Sequence, residues 1–127
     1  MMWEIPPEDL MLSKDQAHVW RANLDVDEKS ESAFLSVLAA DEKIRAGKFR
    51  FARDRRNFIA ARGVLRILLG KYLATPPSEI YFEYSKFGKP SLPAGNSLQF
   101  NITHSQNLAL FAFSKHLTMG IDVEFVN

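Results

Sequence analysis

The segment Gly120-Ile121-Asp122-Val123-Glu124 reads as a strand with two carboxylates at i and i+2. Residues two apart on a strand project to the same side. Adjacent carboxylates repel one another unless a cation or a basic group neutralises them. A hard divalent ion such as Mg²⁺ takes oxygen ligands of this kind, so Asp122 and Glu124 are candidate metal ligands. Ile121, Val123 and Phe125 are apolar, which predicts one buried and one acidic face. A solvated strand face is the plainer reading of the same pattern. Candidate phosphate-binding residues lie upstream of the acids and none lies downstream, so the chain reads as one half of an active site.

Two upstream motifs suit anions. In Phe87-Gly88-Lys89-Pro90, Gly88 permits an unusual turn and Pro90 stiffens its exit, so Lys89 is held in place. The motif fits a phosphate contact, although taken alone a lysine-bearing hairpin turn is its plainer reading. In Phe100-Asn101-Ile102-Thr103-His104-Ser105, a strand ends in short polar side chains around a histidine, all able to donate hydrogen bonds to phosphate. An ordinary strand end with a capping Ser or Thr reads the same way. His18 and His116 lack such company and read as surface or structural residues.

These residues need a scaffold. The sequence predicts an irregular arm over 1–15 and a first strand over Ala17–Leu24. A short helix follows over Glu28–Ala39, with Phe34, Leu35 and Leu38 inward. Asp41 is placed to cap a second helix carrying Arg45, Lys48 and Phe49. The longest helix is expected over Asp54–Leu73, where Phe58, Ala61, Leu65, Leu68 and Tyr72 form an apolar stripe. Arg55, Arg62 and Arg66 line another of its faces, either solvated or set to meet phosphate, for which arginine is a bidentate partner. Thr75-Pro76-Pro77 ends the helix. Strands are expected over Ile80–Tyr84, Leu98–Ile102, Ala109–Phe113 and Met119–Glu124, with connections too short for helical crossovers. The predicted class is α+β, a single α/β unit with helices packed on a small, mostly antiparallel sheet.

Bulk properties agree with one domain over residues 1–127. The chain is 46% hydrophobic with a net charge of only +1. Charge is nonetheless uneven: ten of the sixteen basic residues, and only three acids, fall between Asp41 and Lys71, which suits an anionic partner. Cysteine is absent, which excludes disulfide and thiolate chemistry and agrees with a cytoplasmic protein. The N-terminus does not read as a signal peptide, and no apolar run approaches the ~20 residues that span a bilayer, so no membrane partner is expected.

Taken in order, the pieces resemble a known family. They are Arg45, the run Lys48-Phe49-Arg50-Phe51-Ala52-Arg53-Asp54-Arg55-Arg56, Arg62, Leu65-Arg66, Gly88-Lys89-Pro90, Phe100 to Ser105, and Gly120 to Glu124. Together, over residues 17 to 125, they look like the N-terminal half of the Sfp-type 4′-phosphopantetheinyl transferases, of a cyanobacterial-like kind. The resemblance implies magnesium-dependent transfer of 4′-phosphopantetheine from coenzyme A to a serine of an acyl or peptidyl carrier protein. By this resemblance Asp122 is the principal Mg²⁺ ligand and Glu124 the second, and these two with His104 are the catalytic candidates. Ser85, Lys86, Gly88 and Lys89 match positions around the nucleotide of coenzyme A. Asn101 lies in the motif whose Thr103 and His104 match a Ser-His pair that contacts phosphates. Arg45 matches a residue near the 3′-phosphate. Asn57 stands where many members carry a basic residue, for which Arg56 is the substitute.

Members of this family repeat a similar unit after this point, forming a pseudo-dimer, and the second half carries a Trp-x-x-Lys-Glu-Ala-x-x-Lys motif whose Glu is the expected general base. The present sequence contains no Lys-Glu dipeptide. It is therefore expected to supply the donor- and metal-binding half, to be inactive alone, and to pair with a C-terminal half or with itself. Small trimeric holo-carrier-protein synthases carry their metal-binding aspartate near the N-terminus, which sets this chain apart from them. Two other functions compete: a non-catalytic coenzyme A or nucleotide-binding module, and a nucleic-acid binder using the Asp41–Lys71 segment. The latter lacks aromatic interleaving or a known module, so no nucleic-acid partner is expected.

Overall fold

The computed structural model describes residues 17–115 in full and the backbone of Gln16 and of 122–126. Strand β1 (Gln16–Asn23) leads into helix α1 (Glu28–Ser36), helix α2 (Ala40–Gly47) and the long helix α3 (Ala52–Leu73). A 3-10 turn (Pro77–Glu79) precedes the short strands β2 (Glu83–Tyr84) and β3 (Pro90–Ser91), and β4 (Gln99–Ser105), β5 (Leu108–Ser114) and β6 (Asp122–Val126) follow. The expected arm over 1–15 lies outside the described residues, as does His116.

The fold is α+β. Its main sheet has the order β4-β5-β1-β6. All neighbours are antiparallel except β1 and β6, which run parallel. β2 and β3 form a separate antiparallel ribbon. This corrects the expected strand over Ile80–Tyr84: only Glu83 and Tyr84 pair, and they do so with Pro90 and Ser91 rather than with the main sheet. Ile80 and Phe82 are buried instead as single anchors in the core.

Cross-strand pairs explain the core. Trp20 lies opposite Phe111 and Ala22 opposite Ala109, and all four are buried. They join Ile59, Val64, Leu65 and Leu68 of α3 in one cluster. Burial along α3 is wider than the predicted stripe, because α1, α2 and the 3-10 turn also pack on it. Gly63 permits the α1 contact: a Cβ there would come within 2.5 Å of the Cβ of Phe34. Glycine-to-alanine changes inside helices usually stabilise by up to ~1 kcal/mol. Here overpacking reverses the sign, and Gly63→Ala is expected to destabilise by about 1–3 kcal/mol, read as a lower urea midpoint with an unchanged slope.

Helix ends follow local chemistry. Asp27 caps α1, its side chain accepting from the Ser30 N–H at 2.8 Å. α3 stops where Ala74 turns left-handed, with φ 50, before Pro76. The start of α2 corrects the sequence reading. Its N-cap is Ala39, not Asp41, and the Ala39 N–H donates to Glu42 Oε1 at 2.8 Å. Glu42 is drawn inward by two arginines and can serve that N–H, while Asp41 stays exposed in the first turn.

The histidine near the N-terminus is structural. His18 is buried, and its Nδ1 lies 2.6 Å from the Tyr72 hydroxyl, which accepts from Trp20 Nε1 at 2.9 Å. Burial pushes the Tyr72 hydroxyl from its ordinary 10.0 up to about 12, against the opposing effect of the Trp20 N–H. The folded chain therefore holds this proton longer than the unfolded chain does. The stability it contributes is complete below pH 10 and is lost as pH rises through about 12. A phenolate absorbance titration should show one tyrosine ionising near 12, with the unfolding midpoint falling across the same window.

Candidate functional site

A groove of about 670 Å³ opens where α2, α3, the β2–β3 turn and β4 meet. Each wall is built by local geometry. In the turn, the Gly88 N–H donates to the Ser85 carbonyl at 2.9 Å, and the Lys89 N–H donates to Ser85 Oγ at 3.0 Å. Gly88 has φ 83, a conformation that favours glycine. This closed loop brings Lys89 to the groove. On β4, His104 lies opposite Ala109 and Ile102 opposite Phe111, the side of the sheet on which the helices pack, and both line the groove.

The charge is one-sided. Arg45, Arg53, Arg62 and Lys89 line the groove, and Asp54 is the one acid among its lining residues. Beneath them lies an apolar floor that includes Phe49, Phe58 and Phe100. The rings of Phe49 and Phe58 have centroids 5.3 Å apart. The guanidinium carbons of Arg45 and Arg62 lie 5.0 and 5.2 Å from the centre of the Phe58 ring. Stacking of this kind orients a guanidinium while leaving its edge open to an oxyanion. An apolar floor under a cationic rim suits a ligand with a flat or aliphatic body and phosphate groups.

Among the residues expected to bind cofactor, the structure brings Arg45, Gly88, Lys89, Asn101 and His104 to this groove. Thr103 lies opposite Leu110, on the other side of the sheet from His104. Ser85 works inside the turn, and the Lys86 ammonium lies 5.9 Å from the centre of the Phe87 ring. Arg56 is directed elsewhere, at 3.4 Å from Asp25 and 3.7 Å from Glu31. Asn57 does line the groove and also donates to Asn107 Oδ1 at 3.3 Å.

Arg53 and Gln106 are groove residues that the sequence reading passed over. Arg53, Asn57 and Ala61 recur every four residues, so helical spacing alone marks one face of α3 for the groove. No such signal marks Gln106, which follows β4 with φ 56.

The arginine face of α3 is corrected. Arg62 and Arg66 are buried, and both bind Glu42 of α2. Neither belongs to a solvated stripe, and of the two only Arg62 also lines the groove. Arg55 remains half exposed, with a 3.7 Å contact to Glu31.

The two acids stand apart from the groove. Asp122 pairs in register with Gln16 and Glu124 with His18, on the edge strand β6. The groove lies at the opposite edge, along β4. Three strand spacings separate those edges, roughly 14 Å in the plane of the sheet. Which face of β6 is covered lies outside the described residues. Among the described residues, no group of three or more His, Cys, Asp or Glu is set to hold a metal ion. No helix of the described residues is long and apolar enough to cross a membrane.

Comparison with known proteins adds four findings. A sequence model of the family described as 4′-phosphopantetheinyl transferase, N-terminal, matches residues 22–116. The 4′-phosphopantetheinyl transferase HetI of Nostoc is 42% identical over 127 residues, which is 98% of this chain and 54% of that protein. Human L-aminoadipate-semialdehyde dehydrogenase-phosphopantetheinyl transferase is 35% identical over 88 residues, 65% of this chain and 28% of that protein. The chain thus spans about half the length of the Nostoc relative. Among solved structures, a holo-(acyl-carrier-protein) synthase of Bacillus anthracis, in complex with CoA (3′,5′-ADP), superposes with a TM-score of 0.59. It covers 78% of this chain and 93% of the synthase at 19% identity, a likeness of fold.

Proposed function

Because the chain belongs to the 4′-phosphopantetheinyl transferase family, we propose that residues 1–127 form its N-terminal unit and supply the coenzyme A-binding half of a holo-carrier-protein synthase. The reaction is transfer of 4′-phosphopantetheine from coenzyme A to a serine of an acyl or peptidyl carrier protein. The observation that carries this reading is the cationic groove, in which Arg45, Lys89 and His104 converge from three separate elements on one apolar floor. Arg45 and Lys89 attract and orient phosphate groups. His104 offers a further hydrogen bond at the end of β4. The Phe49–Phe58 pair supports the flat part of the nucleotide.

Asp122 and Glu124, two apart on β6, would hold a magnesium ion through the carboxylate oxygens that such a hard cation takes. Magnesium, when bound, neutralises charge developing on the pyrophosphate. Their position at the far edge of the sheet supports a site completed by a second α/β unit, either a C-terminal half or another copy, which adds the general base. A cytoplasmic location is part of this proposal, since coenzyme A is the donor.

Calorimetry with coenzyme A, with and without Mg²⁺, tests the reading. Binding by the wild type is expected, weakened about tenfold or more by Lys89→Ala or Arg45→Ala, since each removes a charged hydrogen-bond donor. Absence of binding in a folded chain would overturn it. Binding indifferent to Mg²⁺ and to Asp122→Ala would favour a non-catalytic coenzyme A-binding module instead.

A further inference from the structure

Glu42 carries a network that the groove alone does not explain. It is 1% exposed. Its Oε1 accepts from Arg66 Nε at 2.6 Å, and its Oε2 accepts from Arg62 Nη1 at 3.1 Å. Arg66 Nη1 also donates to the carbonyls of Pro77 and Ile80, at 2.9 and 2.8 Å. Arg62 Nη1 also donates to the Tyr84 hydroxyl at 3.0 Å. One carboxylate thereby joins α2, which bears Arg45, to α3, which bears Arg53, and to the chain leading into the turn that bears Lys89.

We infer that Glu42 is a positioning residue for the anion groove, holding Arg62 at the groove with part of its guanidinium free for a ligand phosphate. The inference rests on the coenzyme A reading above. Both hydrogen bonds of Arg62 leave from Nη1, so Nη2 and Nε carry neither. The guanidinium carbon lies 5.2 Å from the centre of the Phe58 ring and 5.5 Å from that of Tyr84, so it rests against two rings. Arg62 is also the one member of the Glu42–Arg62–Arg66 triad that lines the groove.

Stability alone does not account for the arrangement. Well-packed apolar side chains of the same volume generally hold elements together as well as a buried ion triad does, or better. What apolar side chains cannot do is present an oriented cation to a groove. The triad does that, and it locks the three groove walls to one another.

The test is calorimetric titration of the full chain with coenzyme A, beside thermal unfolding. Glu42→Gln is expected to weaken binding about tenfold. Tyr84→Phe, at a position 40% exposed, frees Arg62 on one side only and is expected to weaken binding about threefold with an unchanged unfolding midpoint. In an Arg62→Met background, Glu42→Gln should add less than about a twofold effect, because residues acting through one another are not additive. Wild-type binding with affinity retained in folded Glu42→Gln would overturn the inference. So would a full Glu42→Gln effect persisting without Arg62. If Glu42→Gln does not fold, unchanged affinity in Tyr84→Phe overturns it. Wild-type failure to bind is a separate outcome, which removes the groove reading and this inference with it.

Discussion

Asp122→Ala is expected to lower carrier-protein loading about a thousandfold, assayed with coenzyme A, Mg²⁺, an apo-carrier protein and the complementing second unit. Each decade of rate corresponds to 1.36 kcal/mol, and a metal poised at a developing oxyanion contributes several kcal/mol. Glu124→Ala should cost less, because the family resemblance makes Asp122 the principal ligand and Glu124 the second. The strand itself should persist, since the β1–β6 ladder is made of backbone groups and runs from Gln16–Asp122 to Trp20–Val126. Circular dichroism would check that. Because roughly three strand spacings separate β6 from the groove, Asp122→Ala and Lys89→Ala should act independently on coenzyme A affinity. Loading that survives Asp122→Ala at more than about a tenth of the wild-type rate would exclude Asp122 as a metal ligand of the reaction.

Arg66→Met is expected to destabilise the chain by about 3–5 kcal/mol. The side chain is 2% exposed and provides three hydrogen bonds, one to Glu42 and two to main-chain carbonyls. Removing it leaves those carbonyls without this donor and the buried Glu42 with Arg62 as its remaining ion partner. Methionine preserves most of the volume against Phe82, whose ring centre lies 4.8 Å from the Arg66 guanidinium carbon. The loss is therefore electrostatic and hydrogen-bonded rather than a cavity effect. A lowered urea midpoint reads it. Raising the salt concentration should change the difference little, because a buried pair is poorly screened. The exposed pairs of Arg56 with Asp25 and Glu31 make a useful contrast. Arg56→Met should cost about 1 kcal/mol or less, as surface ion pairs generally do.

Local signals carried much of the fold. The 3.6-residue repeat from Phe58 to Tyr72 marks α3, and Pro76 and Pro77 mark its end to within a residue or two. Alternation marks β4 and the unbroken apolar run from Leu108 to Phe113 marks β5, and a two-residue turn at Gln106 and Asn107 pairs them. Gly88 marks the tight turn that seats Lys89. Residues clustered in short motifs were legible because the chain itself keeps them close. That holds for Gly88 with Lys89 and for Asn101 with His104. Asp122 and Glu124 were legible as a pair for the same reason.

Where those motifs meet, and which charges turn inward, depended on tertiary structure. Asp41 and Glu42 are adjacent acids in the first turn of the same helix. Only the packing of α2 on α3 buries one against Arg62 and Arg66 and leaves the other in water. Arg55 and Arg62 lie two turns apart on α3, yet one faces solvent and the other lines the groove. Strand composition does not state which neighbour a strand will take, so the parallel β1–β6 pair and the separate β2–β3 ribbon could not be read from it. By itself the sequence determined which residues repeat, turn and cluster, because those follow from backbone geometry within a few residues. The tertiary structure alone decided that four cations share one groove while the two acids lie at the far edge of the sheet. Distances across a sheet depend on strand order, and strand order depends on burying every element's apolar face at once.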